Sequence, residues 1–168
     1  PPRPEDPVFT RGWAPTPQVL SEADEGNSMR FLTFGDDGKV LHRGKFSLDP
    51  SVGPLYPDGS VLYPRQPLLS RGGWSIAQID PDTARLKHAI LGLVPRDFPL
   101  NSTVAETFAL LGIGWNTEPG NEHEVWSDSL NCVQAYQWGR PYATRPDSVT
   151  AGLFHQLFEL PPFKSLEH

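Results

Sequence analysis

The sequence predicts an α/β domain built on a mixed central sheet flanked by helices, and three observations carry that prediction. Three short apolar or alternating runs succeed one another through turns between residues 52 and 93. A run with helical spacing follows from residue 102. A further strand-like run at residue 124 then leads into two more helical runs. The order β-β-β-α-β-α-α joins an antiparallel meander to a strand that returns through a helix. Such a crossover makes the returning strand parallel to its partner, with a right-handed connection.

Each element has its own local cause. Residues 1 to about 29 hold six prolines in the first 17 positions and then the acidic stretch Ser21 to Gly26. That composition reads as an irregular arm rather than a second domain, with Phe9 and Trp13 as candidate anchors. Arg30–Phe34 and Val40–His42 flank Asp36-Asp37-Gly38-Lys39, a hairpin signature in which Asp36 and Asp37 are turn residues. Val52–Tyr56 predicts a short strand, Gly73–Ile79 a second and Leu86–Leu93 a third, the last two joined by Pro81-Asp82-Thr83. Ser102 to Leu111 places Val104, Phe108 and Leu111 on one helical face, with Asn101 or Ser102 as N-cap. Glu124–Ser127 is a fourth strand. Leu130, Val133, Tyr136 and Gln137 mark a second helix, and Pro146-Asp147-Ser148 opens a last one through Ala151, Phe154, Leu157 and Phe158.

Composition narrows the class. At 168 residues, with 38% hydrophobic and 20% charged residues, the chain suffices for one domain with a sizeable core. Nineteen prolines and fifteen glycines imply many loops. The lack of an 18-residue apolar run argues against a membrane span, and the single cysteine, Cys132, cannot form an internal disulfide. The expectation is an intracellular protein, nuclear or cytoplasmic, in which the Asn101-Ser102-Thr103 sequon is coincidental. The start at Pro1-Pro2 reads as a segment excised from a longer protein, and Leu166-Glu167-His168 reads as a tag remnant. A net charge of −6 argues against strong non-specific nucleic-acid binding. Carboxylates gathered for a cation add to that count, and a bound cation inverts the local field.

Three carboxylates stand out because each ends or enters a different element. Asp58 lies in Tyr56-Pro57-Asp58-Gly59-Ser60, Glu106 one turn into the first helix, and Asp128 in Ser127-Asp128-Ser129 after the fourth strand. With the first and fourth strands adjacent and the helix crossing between them, the three converge. Hard cations such as Mg²⁺ take such all-oxygen clusters, and nucleases use them on phosphodiesters. Each residue also has an ordinary explanation. Thr103-x-x-Glu106 fits a capping box, Asp58 a turn before Gly59, and Asp128 an N-cap. Trp74, Trp126, Trp138 and Tyr136 read as core aromatics more readily than as base-stacking platforms, and Cys132 as a buried small residue.

Over residues 52 to 160 the order of motifs resembles the ribonuclease H family, the type found free in cells and at the end of reverse transcriptases. Pro57-Asp58-Gly59-Ser60 is similar to the family's first-strand motif and Gly72-Gly73-Trp74-Ser75 to its glycine-led second strand. Asn101 to Glu106 resembles the lead-in to its helical glutamate, and Ser127-Asp128-Ser129 its next aspartate motif. The resemblance implies a divalent-metal endonuclease that hydrolyses the RNA strand of RNA/DNA hybrids. It implies two Mg²⁺ (or Mn²⁺) ions held by Asp58, Glu106 and Asp128, with Asp58 shared by both. It assigns substrate contacts to Gly59, Ser60, Asn101 and Ser129, with Asn101 near the minor-groove 2′-hydroxyls. The expected division is an arm plus hairpin over 1–50, the ribonuclease H-like domain over 51–163, and the tag-like 166–168. Other domains of a retroelement polyprotein are the expected protein partners.

The chain departs from the family pattern in three respects. Pro57 precedes the first aspartate, where a bulge or fraying is expected to accommodate it. The sequence stops where a fifth strand and a last helix bearing a fourth acid would begin, and His155 and Glu159 do not match that acid. The 14 Lys and Arg residues are scattered with no basic handle. Two alternatives therefore stand beside the hydrolase. One is a degenerate binding or scaffold domain of the same fold. The other is a DNA-acting integrase-like or transposase-like nuclease, which the Asp-Glu-Asp order disfavours.

Overall fold

The computed structural model describes residues 29–66 and 68–168, so the proline-rich arm, with Phe9, Trp13 and the acidic stretch, lies outside the described residues. The chain forms a seven-stranded mixed sheet flanked by four helices. In order these are β1 (Arg30–Phe34), β2 (Val40–His42), β3 (Leu55–Leu62), β4 (Arg71–Ile79) and β5 (Leu86–Leu93), then α1 (Ser102–Trp115) and β6 (Glu124–Trp126). After these come α2 (Leu130–Trp138), α3 (Arg140–Ala143), α4 (Ala151–Leu157) and β7 (Ser165–Glu167). Across the sheet the strands run β2-β1-β5-β4-β3-β6-β7. The meander β3-β4-β5 and the β1-β2 hairpin pair antiparallel, while β6 lies parallel to β3 and β7 parallel to β6. No helix among the described residues is long and apolar enough to cross a membrane.

Alternation in β3 explains how the sheet is used. Leu55 and Pro57 are buried and Gly59 and Val61 partly so, whereas Tyr56, Asp58, Ser60 and Leu62 are exposed. The first set faces α1, which packs on β3 and β4 and against α4. Helix α1 is buried at every position from Val104 to Gly114, so it is a central core element rather than a surface helix. Two glycines make that burial possible. A Cβ on Gly112 would sit 2.5 Å from the Trp74 ring, and one on Gly114 2.6 Å from Leu160. The helix extends to Trp115, beyond the Ser102 to Leu111 expected from the sequence.

Strand β3 begins and ends later than Val52–Tyr56 because Pro57-Asp58-Gly59 is not a turn. Pro57 keeps register with Ile76 and Asp58 with Ser75, with no bulge. Pairing with β6 is limited to Leu55↔Val125, so it has ended before Pro57, which has no N–H to give. The hairpin reverses instead beyond Leu62. The last helix starts at Ala151 rather than at Pro146, whose neighbourhood forms turns closed by Ser148 N–H to Arg145 O and Ala151 N–H to Ser148 O. The short α3 follows Gly139, whose φ of 86° ends α2. Trp74 and Cys132 are buried as expected, and Tyr136 stacks on Phe158 while its hydroxyl accepts from Phe163 N–H. Trp126 and Trp138 are exposed, contrary to their reading as core residues.

The C-terminal segment also departs from expectation. The C-terminal residues form a further strand, the three-residue β7, and residues set aside as tag-like lie within it. Glu124, Val125 and Trp126 pair with Ser165, Leu166 and Glu167, and Leu166 is buried. Replacing Leu166 with alanine is expected to cost roughly 2–4 kcal/mol in urea denaturation. An unchanged midpoint would show that this strand is not part of the folded core.

Candidate metal centre

The site forms where β3 and β6 separate. The two strands are parallel and share one bridge, and beyond it Asp58 and Asp128 continue on either side of the gap. Crevices at the carboxyl ends of parallel strands are where α/β sheets present ligand sites. Helix α1 closes the gap from below, since its residues Ala105 and Glu106 lie directly under Gly59. A Cβ there would meet the Glu106 backbone nitrogen at 2.3 Å and the Ala105 carbonyl carbon at 2.4 Å. Only glycine admits this approach, which brings the Glu106 side chain up to Asp58.

One carboxylate oxygen from each of Asp58, Glu106 and Asp128 lies within 4.8 Å of the others. Asp58 and Asp128 are exposed and Glu106 is buried, with 8% of its surface accessible. The ordinary explanations for the three residues do not survive. The N-cap of α1 is Asn101, whose Oδ1 accepts from Val104 N–H at 2.9 Å, so Glu106 lies too deep in the helix for a capping box. Asp58 is inside a strand rather than in a turn, and the N-cap of α2 is Ser129, not Asp128.

Glu106 is electrostatically uncomfortable without a partner. Burial lifts its pKa to about 7, the Gly59 N–H hydrogen bond opposes the rise, and the charges of Asp128 and Asp58 add to it. That rise corresponds to a penalty of roughly 3 kcal/mol on the charged form. Near pH 7 the acid is therefore about half protonated. Its Oε2 is buried and has no hydrogen-bond partner. A buried carboxylate oxygen without a donor calls for a cation or a proton. Three hard oxygen donors converging on it suit Mg²⁺ or Mn²⁺.

The remaining predicted residues divide into those near the cluster and those with structural duties. Ser60 is exposed on β3, two residues from Asp58 and on the same face, and both line a hollow with Ser75 and Arg30. Gly59 serves packing and donates to Glu106, rather than facing outward. Asn101 spends its carboxamide oxygen on the helix cap. Ser129 makes no side-chain cap and gives its N–H to Ser127 Oγ at 3.1 Å. Asp58 and Asp128 also border an open groove of about 570 Å³ with Tyr56, Trp126 and His168. Glu159 pairs with Arg140, apart from the cluster.

Sequence reasoning missed the basic residues. Arg30 is separated in sequence from Arg43 and Lys45, but all three line one hollow of about 970 Å³ with Trp115. The available signal was the two-residue step from Arg43 to Lys45, both exposed on either side of the partly buried Gly44. Comparison of the chain with protein-family models, curated proteins and solved structures found no match. Within the α/β class, the geometry defines a carboxylate-rich candidate cation site on an open sheet edge.

The pKa of Glu106 gives a signed prediction. Its folded value lies above the unfolded value of 4.5, so the neutral acid's contribution is intact below about pH 4.5 and is lost as pH rises through about 7. Glu106→Gln is expected to be near wild type in stability at pH 4.5 and more stable by roughly 1–3 kcal/mol at pH 8 without metal. Millimolar Mn²⁺ is expected to raise the wild-type Tm more at pH 8 than at pH 5.5 and to leave the variant unmoved. Equal Mn²⁺ shifts in both proteins would remove Glu106 from the site.

Proposed function

We propose that this chain is a divalent-cation endonuclease of ribonuclease H-like fold, acting on the RNA strand of RNA/DNA hybrids. The observation that carries the reading is the convergence of Asp58, Glu106 and Asp128 carboxylate oxygens within 4.8 Å of one another, with the buried Glu106 Oε2 lacking a hydrogen-bond partner. The parallel placement of β6 beside β3, with the helix that supplies Glu106 between them in sequence, is compatible with that fold. Asp58, Glu106 and Asp128 would hold the cations, which supply Lewis-acid activation of water and charge neutralisation at the phosphate.

The protein's own residues do the positioning. Gly59 N–H orients the Glu106 carboxylate. The exposed side chains of Asp58 and Asp128 stand at the mouth of the gap, where a phosphodiester can approach from solvent. Ser60 and Asn101 Nδ2 are polar groups available for ribose hydroxyls, the feature that separates RNA from DNA. A second reading is a binding domain that grips the hybrid without cutting it. It is favoured by the cluster's having three acids and no fourth among the described residues.

Incubation of a labelled RNA/DNA hybrid with Mg²⁺ or Mn²⁺, beside single-stranded RNA and duplex DNA, tests the proposal. Cleavage confined to the hybrid is expected, and Asp58→Asn should lower it by roughly a hundredfold or more. Hybrid binding without cleavage under either metal would favour the second reading. Cleavage unaffected by Asp58→Asn would exclude the site.

A further inference from the structure

Strand β1 is fully paired on one side and half paired on the other. It pairs with β5 from Arg30 to Thr33, but β2 meets it only at Thr33 and Phe34. Among the described residues, no backbone hydrogen bond from outside the sheet reaches Met29 to Leu32. The side of Arg30–Leu32 that faces away from β5 therefore presents open amide and carbonyl groups. Such an edge is a template for another extended segment, and proteins commonly cover it.

The open edge is lined by positive charge. Met29 to Leu32 share a hollow of about 970 Å³ with Arg43, Lys45 and Trp115. Phe31 is buried, so alternation puts Arg30 and Leu32 on the opposite face of the strand. Trp115 packs on Trp74 on the helix-covered face. The hollow thus wraps the strand edge rather than lying on one face of the sheet. Arg30, Arg43 and Lys45 are exposed, and no ion pair among the described residues engages them. No carboxylate lines the hollow. Three unneutralised cations in one recess form a local positive field in a chain of net charge −6.

The chain that enters β1 carries the matching charge. Glu22, Asp24 and Glu25 precede Arg30, with no Lys or Arg between them. Asp24 and Glu25 lie six and five residues before Arg30, so their backbone stays within roughly 20 Å of it. Gly26-Asn27-Ser28 between the acids and Met29 are residues that favour a reversal of direction. A tether this short gives an effective concentration on the order of millimolar, which favours this occupant over an acidic peptide from elsewhere.

We infer that the acidic stretch Ser21 to Gly26 folds back on the open edge of β1, with Glu22, Asp24 and Glu25 paired to Arg43 and Lys45 in the hollow. Backbone pairing along the edge supplies affinity, and the charges select the segment. The contact acts as a clasp that closes the sheet edge against pairing with other chains. It is independent of the carboxylate site and of the nuclease reading.

Residue-resolved amide hydrogen exchange of the full chain at low salt tests the clasp. The amides of Arg30–Leu32 that point away from β5 are expected to exchange roughly tenfold or more slowly than in Glu22→Gln/Asp24→Asn/Glu25→Gln. Salt near 1 M, where screening acts within about 3 Å, should weaken the protection in wild type. Arg43→Glu/Lys45→Glu should lose it. Adding Glu22→Lys/Asp24→Lys/Glu25→Lys to that protein should restore it, which a merely misfolded variant would not do. Fast exchange in wild type, or protection that none of these charge changes alters, would overturn the inference. Protection that rises with protein concentration would overturn it too, by assigning the edge to a second copy of the chain.

Discussion

The contact on which the candidate site depends is the approach of α1 to β3 at Gly59, where the Glu106 backbone nitrogen occupies the space a Cβ would need. From that contact follow the burial of Glu106, its hydrogen bond from Gly59 and its proximity to Asp58. The approach is held by the whole helix, since α1 is buried along eleven consecutive residues. Gly112 and Gly114 let Trp74 and Leu160 press on its far end. Burial of a helix on all sides leaves little freedom to slide. A carboxyl group carried on so fixed an element stays in place although its ionisation is unfavourable. Strain of that kind, retained by surrounding packing, is common where function needs it.

The electrostatics of the molecule are divided rather than uniform. At one end of a sheet row stand three acids, where burial first and the neighbouring Asp128 and Asp58 charges second raise the pKa of Glu106. At the other stands Arg30, three strands away on the same row. Because strand spacing is fixed by backbone hydrogen bonding, the separation between acids and cations is a property of the sheet and not of side-chain flexibility. Net charge alone understates this, since a formal −6 says nothing of where the 14 Lys and Arg residues sit.

Much of the architecture was legible because each cue was local. The Asp-Gly hairpin, the alternation of β4 and β5, and the Asn101 cap are decided by neighbouring residues, and the structure keeps them. The parallel return of β6 beside β3 followed from chain connectivity. Where reading failed, tertiary contacts had overridden local signals. Pro57-Asp58-Gly59 resembles a turn, yet Gly59 is required by helix packing and Pro57 falls beyond the end of β6 pairing. Glycine is a poor residue for a helix interior, yet Gly112 and Gly114 lie inside α1 and seat large side chains. Strand β7 has only three residues, too few for any periodic signal, and is defined by its partner β6. The three acids were identified in the sequence, but the burial that distinguishes Glu106 from its exposed companions was not. That asymmetry arises because Glu106 is carried by the buried helix α1 where it packs on β3.

The most direct examination of the central claim is a crystal structure of the protein soaked in Mn²⁺ at pH 8, read by anomalous scattering. The account predicts a manganese peak in the gap between β3 and β6, about 2.1 Å from oxygens of Asp58, Glu106 and Asp128. Glu106 Oε2 should be among the ligands. An anomalous map with no peak there, or one coordinated by Asp58 and Asp128 while Glu106 Oε2 stays unliganded, would contradict it.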